Sequence, residues 1–210
     1  MKKLIFEKNG WEFPFIARVP ENMRENLPII FQLHGAGERG SGGDELNLVE
    51  VHGFSKTFTD EAEYDCILVE PQCPKDTFWV AHIQEVGSFI DKVIESFKAD
   101  KSKVYLTGLS MGGFGTWFVA MEFPEKFAAI APVCGGGMPW NAFVLNMPVW
   151  AFHGLKDTTV FPSNTIDMIE RIKDNENVKM SLYEDVGHNA WEKAYNETLL
   201  NWFLGFSLNS

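Results

Sequence analysis

Lys103-Val104-Tyr105-Leu106-Thr107-Gly108-Leu109-Ser110-Met111-Gly112-Gly113 opens on an apolar run, Val104 to Thr107, passes into a G-x-S-x-G pattern and continues as a helix-like stretch from Met111. A short apolar run ended by glycine reads as a buried strand. A serine with glycine two residues to either side fits a strained strand-to-helix turn, where neighbouring chains pass too close for larger side chains. Strand, sharp turn and helix in succession form the unit of a parallel sheet covered by helices, so this stretch sets the fold class as α/β.

The same alternation continues to both sides. Leu27 to Leu33, Cys66 to Val69, Phe127 to Val133, Val149 to Phe152 and Val178 to Tyr183 read as further strands, and pieces around Leu4 to Phe6 and Phe13 to Val19 as an antiparallel edge. His82, Val86, Phe89, Ile90, Val93, Ile94 and Phe97 recur at three- and four-residue steps, the spacing of an amphipathic helix. Residues after Pro162 and after Asn189 show that spacing less cleanly and are expected to close the last two crossovers. No repeat or linker divides the chain, so residues 1–210 are expected to form one domain with a mostly parallel sheet and helices on both faces.

Composition narrows the partners. With 45% hydrophobic and 22% charged residues the chain matches an ordinary globular protein. Its net charge of -11 repels phosphate backbones and anionic lipid, so neither nucleic acid nor an anionic membrane is expected as a partner, and neutral or cationic ligands suit it better. No stretch of about 18 apolar residues occurs. The apolar run at Leu4 to Phe6 is broken at once by Glu7, Lys8 and Asn9, and Cys66, Cys73 and Cys134 lack a zinc-type pairing. Both point to a cytoplasmic setting with reduced thiols.

A serine hydroxyl is a weak nucleophile and needs a histidine base held by an acid, in the chain order serine, acid, histidine for this kind of turn. Asp157 lies in His153-Gly154-Leu155-Lys156-Asp157-Thr158, just past a strand, at the sheet edge where working groups collect. Its competing role is a helix N-cap before Thr158 or an exposed turn residue; Asp167 and Glu170 are weaker rivals that fall within the following helix. His188, in Val186-Gly187-His188-Asn189-Ala190-Trp191, follows the last strand and is the expected base. His153 competes but precedes the acid.

The glycine-rich loop Leu33-His34-Gly35-Ala36-Gly37-Glu38-Arg39-Gly40-Ser41-Gly42-Gly43 is suited to present backbone N–H groups to a developing oxyanion. Ala36, or else Gly37, supplies one donor and Met111 the other. The loop lacks both G-x-x-x-x-G-K-[ST] and the spacing of G-x-G-x-x-G, which argues against phosphate binding. His34 reads as a brace for the loop. Glu38 and Arg39 either pair locally or line the entrance.

Taken together, HGAGERG, Pro71-Gln72-Cys73-Pro74 with Trp79, GLSMGG, HGLKD and VGHNAW resemble the α/β-hydrolase superfamily from about Leu27 to Phe203. More narrowly they resemble small microbial esterases and putative peptidases related to the phospholipase/carboxylesterase, dienelactone-hydrolase and feruloyl-esterase groups. The resemblance implies a Ser110, His188, Asp157 triad acting on a small-molecule carboxylic ester, with no metal and no organic cofactor. A peptidase or amidase with the same triad is the alternative, and a non-catalytic binding protein on this scaffold a more distant one. Between Val133 and Pro148 the chain is too short for the cap domain that many such proteins insert, so an open site is expected. Trp79, Trp140 and Phe114, with Phe78 and Met138, are candidates for an aromatic substrate pocket, with core packing as the competing role of each.

Overall fold

The computed structural model describes residues 1–58 and 64–208. Its strands run β1 (Lys2–Phe6), β2 (Phe15–Val19), β3 (Ile29–Leu33), β4 (Ile67–Pro71), β5 (Val104–Leu109), β6 (Ala129–Val133), β7 (Val149–Gly154) and β8 (Val178–Tyr183). They form one eight-stranded sheet in the order β1-β2-β4-β3-β5-β6-β7-β8. β1 pairs with β2, and β2 with β4, antiparallel; every other pairing is parallel. The expected antiparallel edge is thus present at the N-terminus, and every expected strand is found within two residues.

Helices α1 (Ile83–Phe97), α2 (Met111–Glu122), α3 (Ser163–Ile172), α4 (Trp191–Ala194) and α5 (Glu197–Leu204) cover the sheet. The period of two along the strands decides which helix each side chain meets. Ile29, Phe31 and Leu33 of β3 and Val104 and Leu106 of β5 share a core with Phe89 and Ile90 of α1, Trp117 of α2 and Met168 of α3. Ile30, Tyr105 and Leu109 face the opposite side, where they pack with Ala194, Leu199, Leu200 and Phe203 of α4 and α5. Both faces of the sheet are therefore covered, which is why the strands read as continuous apolar runs rather than alternating ones.

The helix expected after Asn189 is split in two. Asn196 turns the chain out of helical geometry and its side-chain oxygen accepts from the N–H groups of Thr198 and Leu199 at 2.8 and 3.1 Å, starting α5 afresh. Between β6 and β7 the one helical element is a 3-10 helix of 6 residues, Pro139–Val144, in place of a cap domain. Among the described residues no helix is long and apolar enough to cross a membrane.

Candidate active site

The carboxyl ends of β3, β5, β7 and β8 bring four loops to one edge of the sheet. β5 ends at Leu109, and Ser110 makes the turn into α2 with φ 53° and ψ −115°, a conformation that costs a non-glycine residue about 1–3 kcal/mol. Its neighbours leave no alternative. A Cβ at Gly112 would sit 1.9 Å from Leu33 O, and one at Gly108 2.3 Å from Gly112 O, so the two glycines let β3 and α2 close around the serine. Ser110 N donates to Val133 O at 2.9 Å and Phe114 N to Ser110 O at 3.0 Å, which pins the turn between β6 and α2. Its side chain is left to point outward.

Ser110 Oγ lies 2.8 Å from His188 Nε2, and His188 Nδ1 lies 2.7 Å from Asp157 Oδ2. These three residues, separated by 47 and 31 positions in the sequence, thus form one hydrogen-bonded chain. Because Asp157 Oδ2 can only accept while ionised, His188 carries its proton on Nδ1 and leaves Nε2 to accept from the Ser110 hydroxyl. The loops bearing the acid and the base are tied together: Leu155 N donates to Tyr183 O and Lys156 N to Val186 O, both at 2.9 Å. The approach requires Gly154, where a Cβ would meet Gly187 O at 2.2 Å and Val186 O at 2.3 Å. The Trp191 and His188 rings stand nearly perpendicular, at 87°, with centroids 5.2 Å apart.

Asp157 is buried, at 2% exposure, and divides its two oxygens between tasks. Oδ1 accepts from Thr159 N and Val160 N, each at 2.9 Å, closing the turn that a capping aspartate would close. Oδ2 faces His188. Burial alone would raise the carboxyl pKa, but the hydrogen bonds from His188, Val160 N–H and Thr159 N–H together outweigh it and hold the group below its ordinary value. No helix starts at Thr158, because α3 begins at Ser163, so Asp157 closes a buried turn and is neither a helix N-cap nor an exposed turn residue. Asp167 and Glu170 lie within α3, as their position implied.

The loop after β3 places Ala36 as the first residue of a 3-10 helix, Ala36–Glu38, and Met111 is the first residue of α2. The N–H of a first helical residue has no intrahelical acceptor. Both residues line the same cavity as Ser110. His34 is buried below them: its Nε2 accepts from Cys73 N at 2.9 Å and Nδ1 faces Gly35 O at 2.6 Å, so the proton sits on Nδ1. Burial pushes its pKa down to about 4, which keeps the ring neutral and confines it to bracing. Arg39 turns to the entrance: Nε donates to Ala36 O at 2.8 Å and Nη1 to Thr77 O at 3.2 Å, and the guanidinium stands 5.4 Å over the Phe78 ring.

The cavity beside Ser110 measures about 480 Å³ and is lined by Ala36, Met111, Phe78, Val80, Phe114, Phe118 and Gly137. Of the aromatic residues expected there, Phe78 and Phe114 line it. Trp79 does not. It is fully buried, donates Nε1–H to His34 O at 3.0 Å and packs against Phe13 and α2 at Gly115. Adjacent residues at the start of the 3-10 turn Trp79–Ala81 point to opposite sides, which puts Phe78, 54% exposed, at the entrance and its neighbour in the core. Trp140 is 74% exposed on the 3-10 helix Pro139–Val144, outside the lining. Phe118, Val80 and Gly137 were missed from sequence, although Phe114 and Phe118 are one helical turn apart and share a face.

Cys134, Asp157 and His188 present ligand atoms within 4.8 Å of one another. They do not suit a metal ion. Burial pushes the Cys134 thiol up to about 12, so it stays protonated, and the lone pairs of Asp157 Oδ2 are already engaged.

A mostly parallel sheet covered on both faces, with a serine on the turn after its central strand and a histidine and aspartate on later loops, defines an α/β-hydrolase fold. The model of the dienelactone hydrolase family matches residues 76–198, more than half of the chain. The chain belongs to that family. The bifunctional acetylxylan esterase/xylanase of Neocallimastix patriciarum is 31% identical over 142 residues, covering 64% of this chain and 19% of its own length. Poly(3-hydroxyalkanoate) depolymerase C of Paucimonas lemoignei is 26% identical over 137 residues, covering 62% and 33%. The chain therefore spans a third or less of these two relatives. Among solved structures, a thermostable esterase superposes with a TM-score of 0.80 at 27% identity, covering 98% of this chain and 63% of that one. Est1E from Butyrivibrio proteoclasticus shares the fold, with a TM-score of 0.67 at 14% identity over 97% of this chain and all of that one.

Proposed function

We propose that this protein is a serine hydrolase of carboxylic esters, with residues 1–210 working as one domain and Ser110, His188 and Asp157 as its catalytic triad. The observation that carries the reading is the unbroken run of hydrogen bonds from Ser110 Oγ through His188 to Asp157, at 2.8 and 2.7 Å. His188 Nε2 takes the hydroxyl proton as Ser110 Oγ attacks the ester carbonyl, and Asp157 holds the ring and stabilises the imidazolium. The N–H groups of Ala36 and Met111 receive the oxyanion. The alcohol departs with the proton from His188, leaving an acyl group on Ser110. Water then gives a proton to His188 and attacks the acyl carbon, and Ser110 recovers its proton as the acid leaves. The chain's own side chains and backbone carry every proton and charge in this cycle.

The apolar lining of Phe78, Val80, Phe114 and Phe118 supports a small, neutral ester whose acyl or alcohol part is apolar. The family and the acetylxylan esterase and esterase relatives support ester over amide. Three free, buried thiols support a reducing, cytoplasmic setting. The test is a nitrophenyl-ester panel of graded acyl length plus a feruloyl ester, with fluorophosphonate labelling. Turnover by the wild type and none above background by Ser110→Ala, which also loses the label, is the expected result. Full activity in Ser110→Ala would sink the assignment.

A further inference from the structure

His153, at the end of β7, competes in the sequence for the role of base, and the fold takes it away from the serine. Its side chain is fully buried. Nδ1 lies 2.7 Å from the Thr165 hydroxyl, which is itself 2.7 Å from Gly135 O, and this fixes the ring against α3 and the loop after β6. Nε2 faces two oxygens: Val160 O at 2.9 Å and Asp157 Oδ2 at 3.2 Å. A carbonyl and an ionised carboxylate can only accept, so Nε2 carries the proton of the ring. Burial is the largest influence on the His153 ring and lowers its pKa.

Asp157 Oδ2 therefore faces two imidazole nitrogens, His188 Nδ1 at 2.7 Å and His153 Nε2 at 3.2 Å. We propose that His153 is a positioning residue for Asp157, its Nε2–H, directed between Val160 O and Oδ2, fixing Oδ2 from behind and drawing off part of the carboxylate charge, so that His188 is held in register. This rests on the reading of Ser110, His188 and Asp157 as the catalytic triad. The groups facing His188 are Ser110, Asp157, the protonated Cys134 thiol and the Trp191 ring, and the exposed Lys156–Asp185 pair flanks the two loops. Apart from the Thr159 and Val160 N–H groups on Oδ1 and the Cys134 thiol, which also faces His188, His153 is the group placed against Asp157 without touching the serine.

Without the second donor, Oδ2 carries its full charge toward His188 and the imidazolium is better stabilised. The acid limb of the kcat/KM profile then moves to higher pH. His153→Phe is expected to shift that limb upward and, because Asp157 is no longer held on its far side and lets His188 drift out of register, to lower kcat per labelled serine about tenfold, with KM changed less than about twofold. His153→Gln, whose amide N–H reaches the position of Nε2, is expected to restore both. If His153→Phe does not accumulate, His153→Asn, too short to reach Oδ2, takes its place. A lower labelled fraction with unchanged kcat per labelled serine and an unmoved acid limb would mean that His153 only supports the fold, and would overturn the proposal. Asp157→Asn, measured alongside, separates the two levels: full activity there overturns the triad itself, whereas its loss together with unaffected His153 variants overturns only the role of His153.

Discussion

Replacing Gly154 by alanine tests whether the site depends on the contact between the loops of the acid and the base. The new methyl would stand 2.2 Å from Gly187 O and 2.3 Å from Val186 O, where ordinary contact begins at 3.4 Å. Both obstacles are backbone, so no rotamer change relieves them, and the segment leading into His188 must retreat by about 1 Å. The Lys156 N to Val186 O bond, 2.9 Å long, would break with that movement. A retreat of this size takes His188 Nε2 out of hydrogen-bonding reach of Ser110 Oγ, now 2.8 Å away. Misplacement by 1 Å costs roughly 100-fold in rate, and overpacking at a tight contact costs about 1–3 kcal/mol of stability. Steady-state kinetics on a nitrophenyl ester should therefore show kcat down about 100-fold in a protein that still melts cooperatively, with KM little changed because Gly154, Gly187 and His188 are not among the residues that line the cavity of Phe78, Phe114 and Phe118. Wild-type kcat in a well-folded Gly154→Ala protein would refute the claim that this contact sets the base.

Glu70 of β4 is fully buried, accepts from Gln32 Nε2 at 2.6 Å and meets Ser55 Oγ; burial raises its pKa to about 8 against the hydrogen bond from Ser55, which lowers it. A group whose pKa is raised by folding gives stability that is complete below its unfolded value, 4.5 here, and is lost as the pH climbs through its folded value. The melting temperature is thus expected to fall between about pH 4.5 and 8, and Glu70→Gln to flatten that decline; equal slopes in both proteins would count against it. Enlarging Phe114 to tryptophan should fill part of the cavity and shift the nitrophenyl-ester optimum to shorter acyl chains, read from kcat/KM across the panel, while an unchanged optimum would place the acyl group elsewhere.

The strands were legible because burial on both faces demands unbroken apolar runs, and a run such as Val104 to Thr107 cannot be disguised by polar alternation. The serine turn was legible because its steric demand falls on particular positions: the carbonyl of Leu33 leaves no room at Gly112 for anything but hydrogen. Ser110, Asp157 and His188 could be paired from chain order, and the structure brings them together. Aromatic residues were a poorer guide. Trp79 and Phe78 are neighbours with the same chemistry, and only the direction of a 3-10 turn sends one into the core and the other to the cavity. His153 looked like a rival base in HGLKD and Gly154 drew no reading of its own, since their contacts with Asp157, Val186 and Gly187 are announced by no local pattern. The break at Asn196 carried a signal, an N-cap residue ahead of Glu197, that the apolar spacing around it concealed.

The backbone of Ser110, at φ 53°, bears on how this sequence can drift. Glycine would accept that angle freely, so the mutation most compatible with the turn is also one that deletes the hydroxyl. At this position thermodynamic preference and the proposed chemistry pull in opposite directions, and substitution filtered for stability alone would favour loss of the hydroxyl. A serine retained there in a descendant of this chain would mark selection for turnover, and a glycine would mark a scaffold released from it.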